Sequence, residues 1–164
     1  MRKQVTESNP VSFGPARPED AGAIAAVIQR AFAAYRGTLQ PEPSALKETE
    51  DSIRSALGSE SFVIARQAGR VIGCVSVKDR AGVAYARRLA VEPAQQGKGL
   101  GRALMMEAEA LARRLGFNRL HVETRLALAG NRALFRVLGF QEGTQHCHPG
   151  FTHPTYVELE KILV

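Results

Sequence analysis

Leu89-Ala90-Val91-Glu92-Pro93-Ala94-Gln95-Gln96-Gly97-Lys98-Gly99-Leu100-Gly101-Arg102 reads as a strand that stops, a loop of spaced glycines and a helix that starts. Tyr85, Leu89 and Val91 supply strand-forming side chains ahead of Pro93, which has no N–H to give a ladder. Beyond the loop the apolar residues shift to helical spacing, at Leu104, Ala108, Leu111 and Leu115. Gly97, Gly99 and Gly101 leave the backbone bare where the first amides of that helix lack intrahelical partners. Free N–H groups and the positive end of the helix dipole therefore converge on one spot. That spot suits a phosphate or pyrophosphate, and Lys98 and Arg102 add formal charge.

Three phosphate loops fit in part. A P-loop needs Gly-Lys-Ser/Thr, but Gly101 is followed by Arg102-Ala103, which offers magnesium no hydroxyl. A dinucleotide fingerprint needs its third glycine three residues after the second, and here it comes two after. The Gln/Arg-x-x-Gly-x-Gly/Ala signature is matched in full by Gln96-Gly97-Lys98-Gly99-Leu100-Gly101. With Leu-Ala-Val-x-Pro before it, this stretch resembles the acyl-coenzyme A site of the GNAT superfamily of N-acetyltransferases. The resemblance implies that acetyl-CoA is the co-substrate, held by Leu89, Ala90, Val91, Gln96, Gly97, Lys98, Gly99, Leu100, Gly101 and Arg102. It also implies that the pantetheine arm pairs with the open backbone of the fourth strand. The Val91 N–H would then polarise the thioester carbonyl as an oxyanion-hole donor does.

The rest of the chain is ordinary for a globular protein: 164 residues, 45% hydrophobic and 23% charged. Residues 1–10 are polar and read as a loose, flexible tail, and residues 11–164 as one domain. No apolar run approaches the ~20 residues of a membrane span, and the first residues lack a signal-peptide core. Cys74 and Cys147 form no Cys-x-x-Cys pair, so a reducing, cytoplasmic setting is expected. Net charge is +6, but the arginines are dispersed and few aromatics stand beside them. A nucleic-acid partner is therefore not expected; the charge reads as a solvated basic surface or, alternatively, as attraction of a polyanionic cofactor.

Taken in order, residues 11–17 read as a strand, and Pro18-Glu19-Asp20 opens a helix with Ile24, Val27, Ile28, Ala31, Phe32 and Tyr35 on one face. A second helix is expected from Ser44 to about Leu57. Glu42, Glu48, Glu50 and Asp51 cluster there, as a solvated face or as a wall attracting a cationic amine. Residues 61–67 and 71–78 form a hairpin through Ala68-Gly69-Arg70, and Ala81-Gly82 leads into a strand over residues 83–91. A helix over residues 99–115 follows, then a strand with Leu120, Val122 and Thr124, which the crossover makes parallel to the fourth. A helix over residues 130–138 and strands near 140–145 and 155–162 complete the chain. The sum is an α+β architecture with a mixed seven-stranded sheet and about four helices, the order of the GNAT fold.

A second landmark of the family resembled, Asn-x-x-x-Tyr-x-x-x-Gly-Phe, meets Asn131 through Phe140. Asn131 matches the cofactor-contacting Asn of that variant, whereas the commoner pattern puts it where this chain has Leu128. Phe135 replaces the tyrosine that usually protonates the leaving thiolate. Glu123 faces away from Leu120, Val122 and Thr124 on its strand. Twelve residues before Phe135, it resembles the strand-five base of ribosomal-protein N-terminal acetyltransferases, an ion pair with a nearby arginine being the alternative. Glu92, beside Pro93, is a weaker candidate. His146-Cys147-His148 with His153 has the residue types for zinc, but a strand would point Cys147 away from both histidines, so no metal is expected. A histidine there is an alternative base.

The expected function is direct acetyl transfer from acetyl-CoA to a primary amine on a small molecule or peptide, with no membrane partner and a homodimer left open. The alternative is a catalytically silent acyl-CoA-binding or sensor domain, which the loss of the tyrosine at position 135 motivates.

Overall fold

Two-residue turns with both residues at positive φ suit the right-handed twist of paired strands. The chain makes two of them in succession, at Ala68-Gly69 (φ 49° and 75°) and Ala81-Gly82 (φ 53° and 84°). They join β2 (Ser61–Gln67), β3 (Arg70–Arg80) and β4 (Val83–Val91) into an antiparallel meander. The computed structural model describes residues 9–164, so most of the expected tail lies outside the described residues. Before the meander come β1 (Val11–Pro15), α1 (Ala21–Phe32) and α2 (Glu50–Ala56). After it come α3 (Leu100–Arg114), β5 (Arg119–Arg125), α4 (Ala129–Val137), β6 (Gln141–His146) and β7 (Tyr156–Ile162). The sheet has seven strands in the order β1-β2-β3-β4-β5-β7-β6, and only the β4–β5 pair is parallel.

Buried on both faces, β3 is a continuous apolar run from Val71 to Val77 broken only by Gly73 and Ser76. On one face Ile24, Val27 and Ile28 of α1 and Ile53 of α2 pack on Phe62, Ile64, Cys74 and Ala90. On the other, Leu100, Leu104, Met105 and Ala108 of α3 pack on Val75, Val77, Ala86, Leu120 and Val122. Gly73 sets how closely α3 sits: a Cβ there would lie 2.9 Å from Leu104 Cδ1 and 3.0 Å from the Ala90 carbonyl. No helix among the described residues is long and apolar enough to cross a membrane.

The segment expected to be one helix from Ser44 to Leu57 is instead a 3-10 turn, Ser44–Lys47, and then α2. The break serves Glu48, which adopts extended backbone (ψ 136°) and turns its side chain inward onto Arg88 Nε at 2.9 Å. Thr49 then caps α2 reciprocally: its Oγ1 accepts the Ser52 N–H at 3.1 Å, and Ser52 Oγ accepts the Thr49 N–H at 2.8 Å.

Two irregularities open the sheet at its centre. The parallel ladder joins only Ala84 to Leu120 and Tyr85 to His121, whereas β5 stays paired with β7 as far as Arg125. In β4 the register against β3 jumps between Ala90 and Arg87, with Arg88 at φ 55°, which is a β-bulge. Beyond Tyr85, β4 therefore diverges from β5 and leaves a gap.

Candidate active site

A cleft of about 660 Å³ fills the gap between the diverging ends of β4 and β5. Gln96, Gly97, Gly99, Leu100, Gly101 and Arg102 line one end. Gly97 and Gly99 take φ 77° and 83°, a conformation that glycine adopts without strain. A Cβ at either would meet nothing within 4 Å, so the space before the first amides of α3 is open. Gln96 Nε2 donates to the Val91 carbonyl at 3.1 Å, tying the loop to the strand end. Glu92 accepts Arg30 in a fork, with Nε and Nη2 each 2.8 Å from a carboxylate oxygen, so its carboxylate clamps α1 to β4.

Leu89, Val91, Asn131 and Phe135 also face the cleft. Two residues grouped with them on sequence do not. Ala90 is buried against the α1 side, and Lys98 is exposed off the wall. Phe135 is 5% exposed and packs edge-on against Phe140 with ring centroids 5.7 Å apart. Its ring belongs to the core and brings no hydroxyl.

The other end of the cleft is polar. Alternation along β5 puts His121, Glu123 and Arg125 on one face, opposite Glu160, Glu158 and Tyr156 of β7. Glu123 accepts Arg80 Nη1 at 2.7 Å and the Tyr85 hydroxyl at 3.3 Å. Arg80 also lies over the Tyr85 ring, 3.8 Å from its centroid. Burial, and then the Glu123 charge, push the Tyr85 phenol up, so it stays a donor at neutral pH. The loop between β6 and β7 adds His148, whose backbone N–H donates to Thr155 Oγ1 at 3.0 Å and whose ring lies 4.8 Å from that of Tyr156. Burial and then the Arg125 guanidinium hold the His148 imidazole below its usual range, hence neutral at pH 7.

The histidine group is not brought together. His146 Nε2 lies 2.9 Å from Glu158, His148 turns its Nδ1 to Thr155, and Cys147 and His153 are exposed. Ligand atoms of His121, Glu123 and Glu158 come within 4.8 Å of one another, but Arg80 and His146 already sit on the two carboxylates.

The acidic cluster read near α2 also divides. Glu48 is 8% exposed and holds the β4 bulge through Arg88, and Glu50 pairs with Arg54 at 2.7 Å. Glu42 and Asp51 remain exposed. Arg87 Nε lies 3.2 Å from Glu60, which also accepts Ser76 Oγ at 2.8 Å. Sequence reading missed Arg80, Arg125, Tyr156 and the polar role of Tyr85. The strand period was a usable signal for Arg125, two residues beyond Glu123 on the same face. Nothing local pointed to Arg80 or Tyr156.

The glycine loop thus opens α3 onto the gap between the two parallel strands. The family model described as Acetyltransferase (GNAT) family matches residues 24–140, and the chain belongs to that family. An IAA acetyltransferase of Azospirillum brasilense is 34% identical over 83 residues, or 49% of this chain. The chain spans about half of that curated relative, 54% of its length. The ribosomal-protein-S18-alanine N-acetyltransferase of Escherichia coli superposes with a TM-score of 0.75, at 22% identity over 94% of each chain. The PaiA N-acetyltransferase of Thermoplasma acidophilum, in complex with coenzyme A, gives 0.75 at 19% identity, covering 93% of this chain and 99% of its own. The seven-stranded mixed sheet with four helices among the described residues is the fold these proteins share.

Proposed function

We propose that the protein is an N-acetyltransferase that moves the acetyl group of acetyl-CoA directly onto a primary amine. The observation that carries this is the glycine loop at the start of α3, open to the cleft at one end, with Glu123 lining the same cleft at the other. A neighbour of the same fold in complex with coenzyme A supports the co-substrate. In this reading the amides of Gly97 to Gly101, with Arg102, bind the pyrophosphate, and Lys98 adds positive charge at the exposed rim. The unpaired edge of β4 binds the pantetheine amides, and the Val91 N–H stabilises the oxyanion as the amine attacks. Leu89, Asn131 and Phe135 shape the channel. Glu123 takes the amine proton, directly or through a water. Phe135 donates nothing to the departing sulfur, and a thiol of pKa about 8.5 leaves as thiolate with little help.

The test is acetyl-CoA turnover against a panel of primary amines, following both free thiol and acetylated product. Amine-dependent thiol release with an N-acetyl product is expected. Gly99→Asp, which puts a side chain and a negative charge before the open amides, should raise the acetyl-CoA Kd about tenfold or more, or ~1.4 kcal/mol. Tight acetyl-CoA binding with no turnover on any amine would favour the silent acyl-CoA-binding domain instead, the reading that Phe135 motivates.

A further inference from the structure

Four arginines line the cleft: Arg87, Arg88, Arg102 and Arg125. Arg87 and Arg88 are neutralised from inside, by Glu60 at 3.2 Å and Glu48 at 2.9 Å. Arg102 stands exposed in the first turn of α3, beside the amides to which the acetyltransfer reading gives the phosphates. Arg125 is left over. It is half-buried on the cleft wall at the far end, and its guanidinium makes no hydrogen bond or ion pair with any described residue. Of the nearest acids on its face, Glu123 is engaged by Arg80 at 2.7 Å, and Glu158 lies 2.9 Å from His146 Nε2. Burial lowers its pKa with nothing to offset it, unlike Arg80, whose pKa burial lowers but Glu123 raises on balance.

A desolvated guanidinium without a counter-charge is costly to keep, and its planar fork matches a carboxylate with two parallel hydrogen bonds. Arg125 sits two residues from Glu123 on one strand face, about 7 Å along the strand, with Tyr156 directly opposite and His148 close by. We propose that the acceptor is a small amine that also carries a carboxylate, with Arg125 gripping the carboxylate so that the amine is turned toward Glu123. The reading rests on acetyl transfer in this cleft and names its acceptor class. A small molecule fits the enclosure. Tyr35, Leu39 and Pro43 wall the cleft from the segment between α1 and α2, His148 and Pro149 from the β6–β7 loop.

Terminal-amino acids of increasing chain length, each paired with its own carboxamide, test this, because a distant carboxylate barely alters the amine pKa. The wild-type enzyme should show a kcat/KM for the best acid about tenfold or more above its amide. Arg125→Gln should abolish that preference by lowering the acid's value alone, leaving the amide's value and the acetyl-CoA Kd within about twofold. Arg125→Lys should keep part of the preference, since it retains charge but loses the fork. The unchanged acetyl-CoA Kd also certifies that the variants are folded. Equal rates for acids and amides in the wild type would overturn the proposal while leaving acetyl transfer standing. A loss of acetyl-CoA affinity in an Arg125→Gln enzyme that keeps the wild-type Tm would overturn it too, by putting Arg125 on the co-substrate. If acetyl-CoA binds but no amine of either kind releases coenzyme A, acetyl transfer itself fails and this reading falls with it.

Discussion

Glu123 keeps its direction through two contacts, the Arg80 guanidinium at 2.7 Å and the Tyr85 hydroxyl at 3.3 Å. An ionised carboxylate has about four acceptor positions, so both contacts leave room for an incoming N–H or a bridging water. General-base contributions run to roughly 10²–10⁴-fold, so Glu123→Gln should lower kcat/KM by about that factor with the acetyl-CoA Kd nearly unchanged. An acceptor of low amine pKa should be used, so that the amine's own titration does not mask the acidic limb of the pH profile. The competing base is His148, unprotonated at neutral pH because burial and Arg125 disfavour its cation. An active Glu123→Gln enzyme, together with loss of the acidic limb in His148→Ala, would move the base to the β6–β7 loop. At this scale the sequence was partly legible. Glu123 and Phe135 were visible because strand alternation and a fixed spacing single them out, whereas Arg80 was not, since its contact with Glu123 spans 43 residues.

The helix α4, nine residues long, stands beside the cleft and is clamped to β6 by one carboxylate. Glu142 accepts Arg132 at 2.7 and 3.0 Å and Arg136 at 2.9 Å, and Arg132 also donates to the Leu126 carbonyl at 3.2 Å. The hydrogen bond from Arg132, with help from Arg136, holds the Glu142 carboxyl down to about 2. Its folded pKa thus lies below the ~4.3 of an unfolded glutamate. The clamp's contribution is complete above that value and is lost as pH falls from about 4.3 toward about 2. Glu142→Gln should therefore melt lower than wild type at pH 7, with the gap in Tm closing as the pH approaches 2. A gap that stays constant from pH 7 to pH 2 would show that the lost contacts are not ionic. Element boundaries were legible where a local signal marks them: α3 ends before Gly116 and α4 before Gly139, both at positive φ. The break at Glu48 was not, because its cause is Arg88, 40 residues away.

Across the whole molecule, strand order puts the parallel β4–β5 junction near the middle of the sheet, where the ladder ends after two residue pairs. Helices α1 and α2 pack on one face of β2, β3 and β4, and α3 packs on the other, so the cleft opens between anchored walls. One end of it was readable because a single run of sequence, Gln96 to Arg102, builds it. The other end takes Arg80 from β3, Tyr85 from β4, Glu123 and Arg125 from β5 and His148 from the last loop, and no local pattern brings these together. The central claim is that one cleft holds acetyl-CoA by the glycine loop and presents its sulfur to the polar wall. A crystal structure with coenzyme A bound tests it most directly. The account predicts pyrophosphate oxygens about 3 Å from the amides of residues 97–101, the pantetheine along β4, and the sulfur between β4 and β5 on the side of Glu123. Coenzyme A seated elsewhere, or with its sulfur turned away from Glu123, would contradict it.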